Sequence, residues 1–149
     1  FELALKFVPQ RSRFHEVVSD SLVEVSQAAD WLDGYRRIHA KYRAYDHCLI
    51  YQEVGTRINT LRFARDVGHG ICIQVRQGHD TDSFGATAGS LLGALMGPGQ
   101  LEGRWFEPFN DVIHLGLARF HEQSLSRLAR RMAKLPQLIA EGRIRPGTP

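Results

Sequence analysis

The 149-residue chain has only two cysteines, Cys48 and Cys72, and their separation fits no zinc-binding motif. Cys72 lies in the apolar run ICIQV, so we expect a buried free thiol and not half of a disulfide. Free thiols are typical of reducing compartments, which favours a cytoplasmic protein. No basic leader followed by an apolar stretch opens the chain, so no secretory signal is visible.

The motifs of several common enzyme classes are absent as well. The chain contains no HExxH, no GxSxG and no GxxxxGK(S/T), which argues against metalloprotease, serine hydrolase and P-loop chemistry. A net charge of +3 and a pI near 9.1 are too mildly basic to favour nucleic acid as a partner. Internal repeats and low-complexity tracts are also missing, which excludes solenoids. With 43% hydrophobic residues, the composition suits one globular domain or a large part of one.

The most informative stretch is GHDTDSFGATAGSLLGALMG, at positions 78–97. Asp80, Asp82 and Ser83 place two carboxylates and a hydroxyl within four residues, an oxygen donor set that suits Mg²⁺, Mn²⁺ or Ca²⁺ better than Zn²⁺ or copper. We expect Asp82 or Ser83 to cap the helix that follows. The N–H groups of its first turn would favour an anion nearby, so the stretch predicts a metal site beside an anion site.

Glycines recur at every fourth position of this predicted helix: Gly85, Gly89, Gly93 and Gly97. Each costs about 1 kcal/mol relative to alanine, so we expect them to permit close approach of neighbouring helices. Large apolar residues fill the other faces, which predicts burial nearly all round: Phe84, Leu91, Leu92, Leu95 and Met96. A membrane span is the alternative, but the apolar run has about 15 residues where about 20 are needed, so we expect no membrane partner.

The pattern G-x-D-T-D-S-x-G-A-x-A-G-x-x-x-G resembles the C-terminal metal motif of the ADP-ribosylglycohydrolase family. Weaker similarity extends over about residues 12–135, through SRF, GICIQVRQG and LEGRWFEPFND. The resemblance implies an all-α fold, two bound Mg²⁺ or Mn²⁺ ions and hydrolysis of ADP-ribose adducts. It makes Asp80, Asp82 and Ser83 metal ligands, and we expect neighbouring residues to contact the substrate: Gly78, His79, Thr81 and Gly85.

The family also uses a second group of metal ligands, a Thr-Asp-Asp run from the N-terminal half of its fold, and these 149 residues contain no such run. We therefore expect the chain to be the C-terminal part of a single domain, with a frayed tail at about 136–149. An N-terminal segment or a partner chain would complete the site. The catalytic glutamate of some family members belongs to that half, so the resemblance assigns no catalytic residue here.

The expected substrate is ADP-ribose attached to a protein or to a small molecule, and arginine, serine, a nucleobase or an acyl ester could each be the group released. Two alternatives stay open. One is a non-enzymatic structural or ligand-binding relative, in which the acids serve only as helix caps. The other is a Mg²⁺-dependent phosphoryl-transfer or phosphate-binding protein, although the chain lacks a phosphate loop.

Hydrophobic periodicity predicts helices on both sides of the motif. One begins at Arg13 behind a Ser12 cap, and a second follows Asp30. The segments 56–65 and 71–75 are also predicted to be helical.

The C-terminal third is less regular. Trp105, Phe106, Pro108 and Phe109 are expected to fasten a loop to the domain, whereas residues 112–120 fit a strand and a helix equally well. A last helix is expected behind Ser124 or Ser126 and before Pro136. Its apolar residues should face inward: Leu125, Leu128, Ala129, Met132 and Leu135.

Overall fold

The structure is a computed structural model that describes residues 1–143. Helices dominate it, which confirms the all-α expectation apart from one small two-stranded sheet. The chain divides into two compact units, Phe1–Glu102 and Gly103–Pro149. Within the described residues, no helix combines the length and the apolar character needed to cross a bilayer.

The first unit consists of α-helices joined by short connections. They are α1 (Glu2–Leu5), α2 (Arg13–Ser26), α3 (Trp31–Tyr42), α4 (Ile50–Phe63), α5 (Val67–Arg76) and α6 (Thr81–Met96), followed by a 3-10 turn at Pro98–Gln100.

Helix starts in this unit follow local capping chemistry. The Ser12 hydroxyl accepts a hydrogen bond from the His15 N–H at 3.1 Å, and the Asp30 carboxylate accepts one from the Asp33 N–H at 2.8 Å. Both predicted caps are therefore confirmed. The predicted helical character of Ile71–Val75 is confirmed too, as part of α5.

Helix α4 is the centre of the first unit, because α2, α3, α5 and α6 all pack against it. It begins at Ile50, well before the predicted start at position 56. Around α2, α3 and α4 lies the main apolar cluster: Val17, Val18, Val25, Ile38, Tyr42, Val54 and Ile58. The same helix also buries polar side chains on its other side: Gln52, Thr56, Asn59 and Thr60.

The first two of the four spaced glycines of α6 lie against α5. A Cβ added at Gly89 would lie 3.1 Å from Ile71 Cδ1, and one at Gly85 would lie 3.1 Å from Val75 Cγ2. Gly93 has nothing within 4 Å, and Gly97 ends the helix with φ 79°. The expectation of close helix approach is therefore confirmed at the first two glycines and wrong at the last two.

Two burial expectations for this unit are wrong. Leu95 is 74% exposed and Leu91 is 41% exposed, so α6 is not buried all round. Cys72 is also exposed, because α5 turns Ile73 and Gln74 toward the interior and leaves the thiol outside. The apolar run ICIQV could not reveal which of its residues faces α4.

The second unit opens with 3-10 turns at Gly103–Trp105 and Glu107–Phe109. Strand β1 (Val112–His114) then pairs antiparallel with β2 (Glu122–Ser124), and α7 (Leu125–Met132) and α8 (Leu135–Ala140) follow. The segment left open by periodicity thus contains a strand. Ser124 caps α7 by accepting the Arg127 N–H at 3.1 Å, as one of the two alternatives predicted.

Other expectations for the second unit are wrong. Met132 and Ala129 of α7 are exposed, the former to 62%, and Leu135, which lies in α8, is 41% exposed, so these residues do not face inward. Phe106 and Phe109 are also exposed, which does not fit a packed aromatic staple. Pro136 lies in the first turn of α8, where its missing N–H costs little, and so does not end a helix. Of the predicted frayed tail, 136–140 is helical and 144–149 lies outside the described residues.

Candidate metal centre

The acidic motif forms the tight turn between α5 and α6. Gly78 and His79 both adopt left-handed backbone conformations, with φ of 80° and 68°. Glycine accepts this conformation readily, whereas histidine adopts it less often. Asp80 then occupies the N-cap position of α6 without a side-chain capping bond, so the predicted caps at Asp82 and Ser83 are wrong. The Asp80 carboxylate is therefore not used in capping.

The turn brings the two acidic side chains together. The carboxyl groups of Asp80 and Asp82 come within hydrogen-bonding reach, a contact that requires a proton between them, and the backbone N–H groups of Ser83 and of Asp82 itself point at the Asp82 carboxylate. These contacts lower the pKa of Asp82, and the contact with Asp80 has the largest effect. Asp82 is therefore ionised at neutral pH. Asp80 is half-buried, while Asp82 and Ser83 are exposed on the first turn of α6.

A buried glutamine fixes the turn to the core. Gln77, which ends α5, is 1% exposed. Its Nε2 donates to Thr60 Oγ1 at 2.8 Å and to the Thr56 carbonyl at 3.2 Å, and its Oε1 accepts from Asn59 Nδ2 at 2.8 Å. All three partners lie on α4. The acidic turn therefore starts from a residue held by the central helix, a role that the sequence around Gln77 does not reveal.

Rings from α3 lie against the same turn. The His79 ring lies 6.1 Å from the His39 ring and 6.5 Å from the Tyr35 ring, measured between centroids. Burial, followed by the charges of His39 and His47, lowers the pKa of His79. Its Nε2 and the Nδ1 of His39 are buried and have no hydrogen-bond partner in the described part of the chain. A neutral imidazole with an unpaired nitrogen thus adjoins the acids.

The loop between α3 and α4 adds a second polar cluster. Ligand atoms of Asp46, His47 and Cys48 lie within 4.8 Å of one another, and all three residues are exposed. Burial, then the charges of Asp80, Asp46 and Asp82, raises the pKa of the Cys48 thiol. This loop therefore lies close to the acidic turn. Sequence spacing gave no sign of it, because a single cysteine beside a histidine matches no metal motif.

The structure thus places the predicted site residues in two groups. Asp80, Asp82 and Ser83, the predicted ligands, share one turn with the predicted substrate contacts: Gly78, His79 and Thr81. Gly85, the remaining predicted substrate contact, is buried and faces Val75 of α5. Its substrate role stays a prediction that this helix packing does not favour.

Among known proteins, the chain is similar to a protein family. The family model described as ADP-ribosylglycohydrolase matches residues 1–141. Comparison with curated proteins and with solved structures gave no match. The family match spans nearly the whole chain and so extends well beyond the acidic turn.

Proposed function

The chain belongs to the ADP-ribosylglycohydrolase family, and we propose on this premise that it supplies the metal-binding turn of a hydrolase that cleaves the glycosidic bond of ADP-ribose adducts. The observation that carries the proposal is the pairing of Asp80 with Asp82 at the exposed start of α6. Two adjacent carboxylates repel each other unless a proton or a cation lies between them. A cation is the occupant that the donor chemistry favours.

The donors present fit a hard divalent ion. Asp80, Asp82 and Ser83 offer only oxygen atoms, which suits Mg²⁺ or Mn²⁺. The contacts that lower the pKa of Asp82 keep it ionised, so it acts as a ligand. A general acid of the ordinary glycosidase kind would need a raised pKa instead. When bound, such ions orient the ribose hydroxyls and activate water or polarise the leaving group.

The chain's own residues position the turn and shape its surroundings. Gln77 holds the turn against α4, which limits movement of the ligands. The neutral imidazole of His79 can exchange a hydrogen bond with a sugar hydroxyl. The exposed Thr81 hydroxyl lies on the same turn, so both are proposed substrate contacts.

The second group of ligands, together with the catalytic groups, is proposed to come from an N-terminal segment or a partner chain. Three ligands leave the coordination shell of a hard cation mostly filled by water. We therefore expect the 149-residue chain alone to bind Mn²⁺ weakly and to gain affinity when it is completed.

Calorimetric titration of the completed protein with Mn²⁺ tests the ligand assignment. Asp80→Asn and Asp82→Asn should each remove at least one ion, whereas Glu16→Gln, which neutralises an exposed carboxylate on α2, should not. Ser83→Ala should weaken binding less than Asp82→Asn, because water can replace a neutral hydroxyl. Parent-like binding by both aspartate variants would disprove the assignment.

A time course of ADP-ribose release tests the activity. Arginine-, serine- and ester-linked substrates should be assayed with the completed protein, with EDTA and with Mg²⁺ or Mn²⁺ added back. We expect release that EDTA abolishes and the metal restores. No turnover on any substrate, in a preparation that holds its metals, would favour a non-enzymatic ligand-binding relative.

A further inference from the structure

The loop between α3 and α4 carries a donor set of a different kind from the acidic turn. We propose that Asp46, His47 and Cys48 form a second cation site, which takes a borderline transition metal ion such as Zn²⁺ or Co²⁺. This inference does not depend on the proposed hydrolase function. It rests on the contacts of the loop itself.

The three ligand atoms are already close to a coordinating arrangement. They lie within 4.8 Å of one another. Around one tetrahedral zinc ion, with bonds of about 2.0–2.3 Å, neighbouring ligand atoms are roughly 3.5 Å apart. The difference of about 1 Å is within reach of side-chain rotation, because all three side chains are exposed.

Two contacts within the loop hold the Asp46 carboxylate in place. The Cys48 N–H donates to Asp46 Oδ1 at 3.0 Å, and His47 Nδ1 lies 3.4 Å from the same oxygen. The second carboxylate oxygen of Asp46 therefore remains available as a ligand. An ion held by this oxygen could keep the hydrogen bond to the Cys48 N–H in place.

The core preorganises the loop. Gln52 of α4 is 2% exposed, and its Nε2 donates to the Tyr42 carbonyl at 2.8 Å and to the Tyr45 carbonyl at 3.4 Å. Tyr42 ends α3, and Tyr45 directly precedes Asp46. The start of the loop is thus attached to the central helix, which reduces the conformational entropy that metal binding would have to overcome.

Charge and donor softness determine which ion the site would take. Burial raises the pKa of the Cys48 thiol, and Asp80 and Asp82 lie near enough to raise it further, so a bound ion has to displace the thiol proton, while the negative potential of the same acids attracts the cation. Thiolate and imidazole favour Zn²⁺ and Co²⁺, whereas the all-oxygen set of the acidic turn favours Mg²⁺ and Mn²⁺. Neighbouring sites would therefore select different ions.

Titration of the 149-residue chain with Co²⁺ under reducing conditions tests the site. A thiolate–cobalt charge-transfer band should appear and saturate at one ion per chain, and Zn²⁺ should abolish it while millimolar Mg²⁺ should not. Cys48→Ser should remove the band. His47→Ala should weaken binding by at least the roughly 10–100-fold that loss of an outer-shell partner costs.

Two controls make the result specific. Cys72→Ser removes the other exposed thiol, on α5, and should leave the band unchanged. The double variant Asp80→Asn, Asp82→Asn should lose Mn²⁺ and bind Co²⁺ less tightly but still show the cobalt–thiolate band at saturation, so failure of the hydrolase proposal is distinguishable from failure of this one. Absence of the band in the parent chain, its survival in Cys48→Ser, or its loss in Cys72→Ser would each overturn the proposal.

Discussion

Gln77 joins the acidic turn to the core through both ends of its amide. Its Oε1 accepts from Asn59 Nδ2 and its Nε2 donates to Thr60 Oγ1, each at 2.8 Å. These partners are themselves fully buried, so each depends on the others for its hydrogen bonds. Removing one member therefore leaves polar atoms without solvent or partner, which is more costly than losing an exposed hydrogen bond.

We predict that Gln77→Met lowers the free energy of unfolding by about 1–3 kcal/mol, because similar volume is kept while buried polar groups of α4 lose a partner. Urea denaturation followed by circular dichroism measures the change. Gln27→Met is the matched control, since Gln27 is exposed at the end of α2, and it should change stability by no more than about 0.5 kcal/mol. Equal effects of the two substitutions would contradict the anchoring role.

A second single-residue effect should depend on pH. Lys41 lies 2.7 Å and Arg37 lies 3.3 Å from the Glu24 carboxylate. The hydrogen bond from Lys41 is the largest influence; with that from Arg37 it outweighs burial and lowers the pKa of Glu24. Since the folded-state pKa is below the unfolded value of about 4.3, the stabilisation is present above that value and is lost as pH falls through the folded pKa.

Glu24→Gln should therefore reduce the free energy of unfolding by roughly 1 kcal/mol at about pH 7 and by almost nothing at about pH 2–3. Urea denaturation at both pH values gives the comparison. Glu2→Gln, at an exposed carboxylate of α1, is the control and should have little effect at either pH. A loss for Glu24→Gln that is the same in acid and at neutrality would exclude the ion pairs as its cause.

For the helices, the capping residues could be predicted from the sequence, whereas the buried residues could not. Ser12 and Asp30 are caps in the sequence and in the structure, because a cap depends only on residues within one turn. The burial of α4 gave no such signal. Its buried asparagine and threonines bond to Gln74 and Gln77 of the next helix, and its buried glutamine bonds to backbone carbonyls at the end of α3 and in the loop after it, so no apolar stripe marks this face.

The candidate metal site also combines features that the sequence predicts with features that it does not. Asp80 and Asp82 are neighbours in sequence, so their meeting could be predicted from the motif. The approach of Cys48 to them depends on how α4 and α6 pack, which periodicity cannot supply. For α6 the apolar residues predict burial nearly all round, but Leu91 and Leu95 are exposed.

Two glycines that look alike in the sequence should respond oppositely to alanine. A Cβ at Gly55 would lie 2.7 Å from Cγ2 of Ile38, a fully buried β-branched side chain on α3 that has little rotamer freedom. Gly55→Ala should therefore destabilise the protein by roughly 1–2 kcal/mol. At Gly93 the space is open, so Gly93→Ala should stabilise by up to about 1 kcal/mol through helix propensity.

Thermal unfolding of the two variants and the parent tests these opposite predictions, since the substitution is the same in both variants. The expected order of melting temperatures is Gly93→Ala, parent, Gly55→Ala. A higher melting temperature for Gly55→Ala than for the parent would show that α3 and α4 are not in close contact at this glycine.

For the whole molecule, the distribution of buried side chains is uneven between the two units. Every fully buried apolar side chain among the described residues lies between Val17 and Leu92, in the first unit. In the second unit, none of the described residues is fully buried. The boundary near Glu102 lies in PGQLEG, at positions 98–103, a segment with the proline and glycine of a loop, but loop composition does not show whether the chain on either side has its own core.

We predict that residues 1–102, expressed alone, fold cooperatively and melt within about 5 °C of the 149-residue chain, because the fragment retains the whole buried core. It should also keep the cobalt–thiolate band of the Cys48 loop and the weak Mn²⁺ binding of the acidic turn, since both sets of residues lie within it. Residues 103–149 alone should show no cooperative transition, because none of the residues described there, 103–143, is buried. Calorimetry of the two fragments beside the full chain tests both expectations. A fragment 1–102 that melts without cooperativity, or a fragment 103–149 that melts with it, would show that the stability of the chain does not reside in the first unit.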